Sequence, residues 1–321
     1  MRIVFFGSSE FALPTFDSIR KDGHEIVLAV TQPDKVRGRG KDTSPTIIKQ
    51  AAVEASLPVI TPVNVNDPQV VGQIRAAGAD LAYVAAFGQK IGSELLSTFP
   101  VGIVNLHASL LPRWRGAAPI QWAVISGDHE TGVTIFRLVE KMDAGAVLMQ
   151  RRTSIGDLET ADELHDRLAR IGCDALRATL ELLRNQPKSP GAAQDESLVT
   201  LAPKLKKSDG HIDFNMPAEP LAHRICGLWS WPGAVCRFVS ADGRRDEQVT
   251  IARARPYEAA GSQSGAPGQL TDVLSVQTAQ GDLEILQIKP ANGSLMEWRD
   301  FVNGRHVKPG DRFAAIETPH A

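Results

Sequence analysis

The chain has 321 residues, 43% of them hydrophobic and 22% charged, with a formal net charge of −2 at pH 7. That length accommodates two domains with a buried core, and the composition is that of an ordinary globular protein. A near-neutral balance excludes a global basic field for nucleic acid, leaving room only for local patches, and no apolar run nears the roughly 18 residues of a membrane-spanning helix.

Strand-like and helix-like segments alternate over residues 1–185. The buried run RIVFFG predicts a strand over Arg2–Gly7, followed by helical spacing over Ser8–Arg20. The strand Glu25–Thr31, the helix Thr46–Ser56 and the short strand Pro58–Ile60 come next. Asp67–Ala77 reads as a helix, Leu81–Ala85 and Gly102–His107 as strands, Ala117–Ser126 as a helix and Gly132–Leu138 as a strand. Asp162–Asn185 is a long amphipathic helix. Strands spaced by helices predict an α/β, Rossmann-like, mostly parallel sheet with ligands at the carboxyl ends of its strands.

From Gln186 to Lys207 the periodicity fades among Pro187, Pro190, Gly191 and Pro203, which reads as a linker. Short strands then follow at Val235–Ser240, Gln248–Arg253, Val273–Thr278 and Leu283–Ile288, with one or two helices. That grammar predicts a small antiparallel barrel. The expected organisation is a catalytic domain over 1–187, a linker over 188–207 and an OB-like barrel over 208–321.

The segment VNLHASLLPRWRG joins an apolar strand to a loop of proline, arginine, tryptophan and glycine. Alternation along a strand puts Asn105 and His107 on one face and Leu106 on the other. Downstream, Met142-Asp143-Ala144-Gly145 offers a carboxylate in a glycine-containing loop. The alternatives are a hydrogen-bonded corner and a turn Asp bonded to its own backbone; a reaction centre requires Asp143 to meet His107 in space. An amide and an imidazole can donate to a developing oxyanion, and a carboxylate can orient the imidazole. The chain lacks a GxSxG elbow, and Ser109 reads as a turn residue, so direct acyl transfer suits the trio better than a covalent acyl-enzyme.

VNLHASLLPRWRGAAPIQWAV, with TGVTIF and MDAG after it, resembles the signature of the folate-dependent formyltransferases. RIVFFGSSEFALP, TQPDKVRGRGK, DLAYVAAFGQKI and HRICGLWSWPGA extend the resemblance over essentially the whole chain, towards the branch acting on methionyl initiator tRNA. The resemblance implies that Asn105, His107 and Asp143 are catalytic. It further implies that Ser109, Leu110, Leu111 and Pro112, with Phe87 and Gly88, bind folate; Phe87 stands where relatives often carry tyrosine. The implied donor is 10-formyltetrahydrofolate, and the implied acceptor is the α-amino group of methionine on initiator tRNA. The alternatives are a formyltransferase for a small amine, such as an amino-sugar nucleotide, and a catalytically silent RNA-binding protein.

Lys35, Arg37, Arg39 and Lys41, spaced by Gly38 and Gly40, are expected to clasp phosphates of an acceptor stem, although such runs are commonly just solvated. After them, Asp42-Thr43-Ser44 departs from the family pattern. Lys204, Lys206 and Lys207 form a second basic cluster for tRNA. From Pro203 onward, 14 Lys/Arg face 14 Asp/Glu, so a contact there needs a one-sided patch such as Arg224, Arg244, Arg245 and Lys308. Trp229 and Trp231 are expected to pack the barrel rather than stack on bases. Gly7-Ser8-Ser9 lacks GxGxxG, GRGK is an incomplete P-loop, and no His/Cys cluster supports a metal. Cys173, Cys226 and Cys236 read as reduced thiols, MRIVFFGSSE is no signal peptide, and a cytoplasmic monomer is expected.

Overall fold

Four of the apolar runs become neighbouring strands in the computed structural model, which describes residues 1–36, 43–257 and 265–316. Across one seven-stranded sheet the order is Val147–Ser154, Glu130–Arg137, Gly102–His107, Leu81–Ala85, Arg2–Gly7, Glu25–Val30, Val59–Ile60. Pairing is parallel from Gly102–His107 through to Val59–Ile60. It is antiparallel where Glu130–Arg137 meets Gly102–His107 on one side and Val147–Ser154 on the other. The mostly parallel α/β sheet expected from the alternating segments is therefore present. All five residues of Leu81–Ala85 are buried, as a strand covered on both faces requires.

One face of this sheet is the cluster of Val4, Phe6, Val30, Val84 and Ile103, with Leu95 and Phe99 packed over it. On the other, Phe5 meets Phe16 edge-on at 5.0 Å and Tyr83 at 5.6 Å. The carboxyl ends of the strands are tied by a polar relay. Ser8 Oγ donates to the Phe87 carbonyl, and accepts from the Gln32 N–H at 3.0 Å and the Thr31 hydroxyl at 3.2 Å. Val147–Ser154 escapes the sequence pattern because it is an edge strand: only Leu148 is fully buried, and Arg151 and Arg152 interrupt the alternation.

Two compact units divide the chain. The first holds Met1–Pro119, Glu130–Ser154 and His165–Ala202; the second holds Ile120–His129, Ile155–Leu164 and Pro203–Ala321. Residues 188–202, within the segment expected as a linker, thus form part of the first unit. In the second unit the antiparallel order is Val276–Gln277, Asp282–Pro290, Asp246–Tyr257, Ala234–Val239, Arg312–Ala314. The segment 268–270 joins the two ends. Gly268 N–H donates to the Gln277 carbonyl at 2.8 Å, while the Phe313 N–H donates to Gly268 at 2.7 Å and Leu270 N–H to Asp311 at 2.8 Å. The result is the nearly closed antiparallel barrel expected from its short strands. Phe238 fills it, 5.3 Å from Phe301 and 5.6 Å from Phe313.

The expected strand Val273–Thr278 shrinks to Val276–Gln277, because a turn linking Thr271 and Ser275 puts Leu274 at φ 59°. Gln248–Arg253 lengthens to Asp246–Tyr257. Among the described residues, no helix is long and apolar enough to cross a membrane.

Candidate active site

Gly102–His107 is the last parallel strand, and its antiparallel neighbour sets Asn105 opposite Phe136 and His107 opposite Thr134. The alternation read from sequence holds. Leu106 is buried in the opposite layer, whereas Asn105 is half-buried and its amide forms no hydrogen bond to another described residue. The loop after Glu130–Arg137 returns towards this strand end. It carries Asp143, at φ 51°, to within 3.7 Å of His107 Nδ1. Sequence alone left that meeting open; the fold makes it.

The imidazole is held at Nε2 and faces a carboxylate at Nδ1. Nε2 lies 2.8 Å from the Trp114 carbonyl, which only accepts, so in the ligand-free protein the ring donates from Nε2. Nδ1 then turns towards Asp143 Oδ2 at a distance too long for a hydrogen bond. A second proton, on Nδ1, converts that approach into an ion pair. Asp143 Oδ2 also accepts the Gly116 N–H at 2.9 Å, so the carboxylate is anchored independently of the ring.

Ser109–Pro112 is a rigid corner. The Ser109 hydroxyl is buried and donates to the Arg113 carbonyl at 2.6 Å, which is the turn role read from sequence. The Thr134 hydroxyl donates to the Ser109 carbonyl at 2.7 Å, and accepts from Leu111 N–H at 3.1 Å and Gln150 Nε2 at 3.0 Å. Its one donor and two acceptor positions are all used. Leu111 is buried, while Leu110 and Pro112 are half-exposed and free to meet an apolar ring. Phe87 is 2% exposed and sits in the core, edge-on to Phe6 at 5.3 Å. Gly88, at φ 85°, follows it on the same turn.

A third segment supports the two loops, and sequence reasoning missed it. Leu201–Ala202 pairs in parallel with Arg115–Gly116. Thr200 Oγ1 accepts the Trp114 N–H at 2.8 Å, and the Ala202 carbonyl accepts the Ala117 N–H at 2.8 Å. Gly116 is required here: at φ 133° an added Cβ would lie 2.4 Å from the Ala202 carbonyl oxygen. Gly145 is equally constrained, since a Cβ would sit 1.6 Å from the Arg137 carbonyl oxygen. Arg115 is 5% exposed and pairs with Glu196 at 2.8 Å; Lys141 pairs with the same carboxylate at 2.7 Å. Hydrogen bonds from Arg115 and then Lys141 hold Glu196 down to about 2. In the sequence this segment is the mixed stretch AAQDESLVT, which has no helical or strand period.

Of the basic residues singled out, Lys35 lies in the two-residue strand Lys35–Val36, which pairs with Thr43–Ser44. Arg37, Arg39 and Lys41 lie outside the described residues. Lys204, Lys206 and Lys207 are exposed in the second unit and form no ion pair among the described residues. The further patch is partly neutralised: Arg244 lies 3.7 Å from Asp242 and Arg245 3.6 Å from Glu247, while Arg224 donates to the Asp209 carbonyl. Trp231 does not pack as expected. It is 54% exposed, placed outward on the turn before Pro232 and Gly233.

Residues 1–180 match the family model described as formyl transferase, and residues 204–306 match the formyl transferase C-terminal domain. A methionyl-tRNA formyltransferase of Solibacter usitatus is 40% identical over 314 residues, covering 97% of this chain and 98% of its own. One from a Methylobacterium species is 39% identical over 315 residues, covering 98% and 99%. Among solved structures, HypX from Aquifex aeolicus in complex with tetrahydrofolic acid aligns with a TM-score of 0.62, over 96% of this chain and 48% of that one. At 18% identity this last likeness is one of fold.

Proposed function

The chain belongs to the formyl transferase family, and we propose that it transfers the formyl group of 10-formyltetrahydrofolate to the α-amino group of methionyl initiator tRNA, as a cytoplasmic monomer. Likeness at 40% identity along the whole chain to methionyl-tRNA formyltransferases supports the choice of substrates. The observation that carries the chemistry is the approach of Asp143 to His107 beside the Asn105 amide, which has no hydrogen-bond partner among the described residues.

Asn105 offers an N–H to the formyl oxygen, where negative charge develops as the bond to the amine forms. His107 adds a second donor by passing its Nε2–H bond from the Trp114 carbonyl to that oxygen. Asp143 fixes the ring and stabilises the charged imidazole. The neutral α-amine attacks the formyl carbon, a new C–N bond forms, and the carbon's bond to N10 of the folate breaks. The proton lost by the amine ends on N10, and His107 and Asp143 are the groups placed to carry it. No residue of the chain is acylated on this route.

The donor fits the site through Ser109, Leu110, Leu111 and Pro112, a corner whose backbone is fixed and whose half-exposed Leu110 and Pro112 suit a flat ring. Phe87 and Gly88 form the floor from beneath. Lys35, Arg37, Arg39 and Lys41, with Lys204, Lys206 and Lys207, contact phosphates of the acceptor tRNA.

The test is incubation of the purified protein with 10-formyltetrahydrofolate and methionyl initiator tRNA, with an amino-sugar nucleotide as competing acceptor. Formylmethionyl-tRNA is the expected product. A formylated sugar without formylated tRNA would overturn the reading.

A further inference from the structure

Gln194 touches none of the reacting groups, yet it uses every hydrogen-bonding position it has on the two loops that frame them. Its Nε2 donates to the Asp143 carbonyl at 2.8 Å and to the Gly145 carbonyl at 2.7 Å. Its Oε1 accepts from Arg115 Nε at 3.1 Å and from Arg115 Nη2 at 2.8 Å. An amide has two donors and two acceptor positions, and all four are satisfied. The amide can face only one way, because a flip would set its oxygen against two carbonyls and its protons against a guanidinium.

The two loops meet at the carboxylate. Asp143 Oδ2 accepts from Gly116, the residue after Arg115, and Trp114, the residue before it, holds His107 Nε2. Glu196 doubles the grip: it takes Arg115 Nη2 at 2.8 Å and, on the loop of Asp143, Lys141 Nζ at 2.7 Å. Arg115 is nearly buried, so a lost partner there is not replaced cheaply by water.

We infer that Gln194, through Arg115, is a positioning residue that fixes the Asp143 carboxylate against His107. The inference rests on the proposed formyl transfer for its kinetic consequence, but its structural consequence can be read without turnover. Displacements of about 1 Å by groups remote from the chemistry can cost ~10²-fold.

Gln194→Ala should lower kcat for formylation by about 10- to 100-fold, with KM for the folate donor and for the tRNA within about twofold of wild type. In an Asp143→Asn background the same change should cost nothing further, since the group it positions is already disabled. Hydrogen exchange of the Gly116 amide, read by NMR in the ligand-free protein, should quicken at least about tenfold. Gln194→Glu keeps the volume and the acceptors for Arg115 but loses both donors, so it should show the same Gly116 signature in a chain of near-normal Tm. Unchanged Gly116 exchange in both variants would overturn the inference whatever the activity, and so would losses that multiply in the double variant. A wild-type protein that fails to formylate methionyl-tRNA while Gly116 responds to Gln194→Ala would overturn the substrate reading and leave the clamp standing.

Discussion

Replacing Asp143 by Asn keeps the shape of the side chain and an oxygen for the Gly116 N–H, and removes the charge 3.7 Å from His107 Nδ1. At an effective dielectric constant of ~20, a unit pair at that 3.7 Å separation attracts by about 332/(20 × 3.7), roughly 4.5 kcal/mol. The two side chains are only 7% and 13% exposed, so dissolved salt screens little of it. Part of the attraction is already present before the imidazole becomes fully charged, and only the increment counts towards the rate. Taking somewhat over half, ~2.7 kcal/mol, gives about a 100-fold fall in turnover. The assay is single-turnover transfer from a labelled formyl donor to methionyl initiator tRNA, with tRNA affinity measured in parallel. A rate within about fivefold of wild type, at unchanged affinity, would remove the carboxylate from the mechanism.

The remaining predictions concern the supporting segment. A chain ending at Ala202 should bind the folate donor, whereas one ending at Pro187 should not, because it lacks the Thr200 and Ala202 contacts that hold Trp114, Arg115 and Ala117; equal donor binding by the two, in calorimetry, would show that the loop holds itself. Glu196 titrates at about 2, below its ordinary 4.5, so its contribution to stability is whole above pH 4.5 and is lost as the pH falls towards about 2. The Tm gap between wild type and Glu196→Gln should therefore be constant from pH 7 to about 4.5 and close below it; a gap that stays open down to about pH 2 would mean that the linkage is absent.

The elements of the proposed site were the most legible ones. Asn105 and His107 announce themselves because polar side chains two apart on a buried strand share a face, and period-2 geometry survives any tertiary context. Asp143 was identifiable as a candidate, but its meeting with His107 depends on an antiparallel neighbour whose pairing no local pattern states. Gln194 and Glu196 were invisible for a different reason. They act across a separation of 79 to 81 residues from Arg115, through side chains that look like solvated polar residues in one dimension. Phe87 is legible as an apolar residue after a strand, but its edge-on contact with Phe6 and the service of its carbonyl to the relay at the strand ends depend on partners about 80 residues away that no local pattern states. The strand Val147–Ser154 was missed because its arginines hide its period, yet it supplies Gln150 to the corner that holds Ser109–Pro112.

That same strand has a bearing on how the protein behaves in company. A sheet rim offers unpaired amides and carbonyls to which the strand of another molecule can add. Here one rim carries Arg151 and Arg152 and has Val147 already bridged to Ala192, while the opposite rim is only the two residues Val59–Ile60. In the second unit, the segment 268–270 occupies the gap where two rims would otherwise have faced solvent. Intermolecular strand addition therefore finds little purchase among the described residues of either unit, and at high protein concentration that reticence matters.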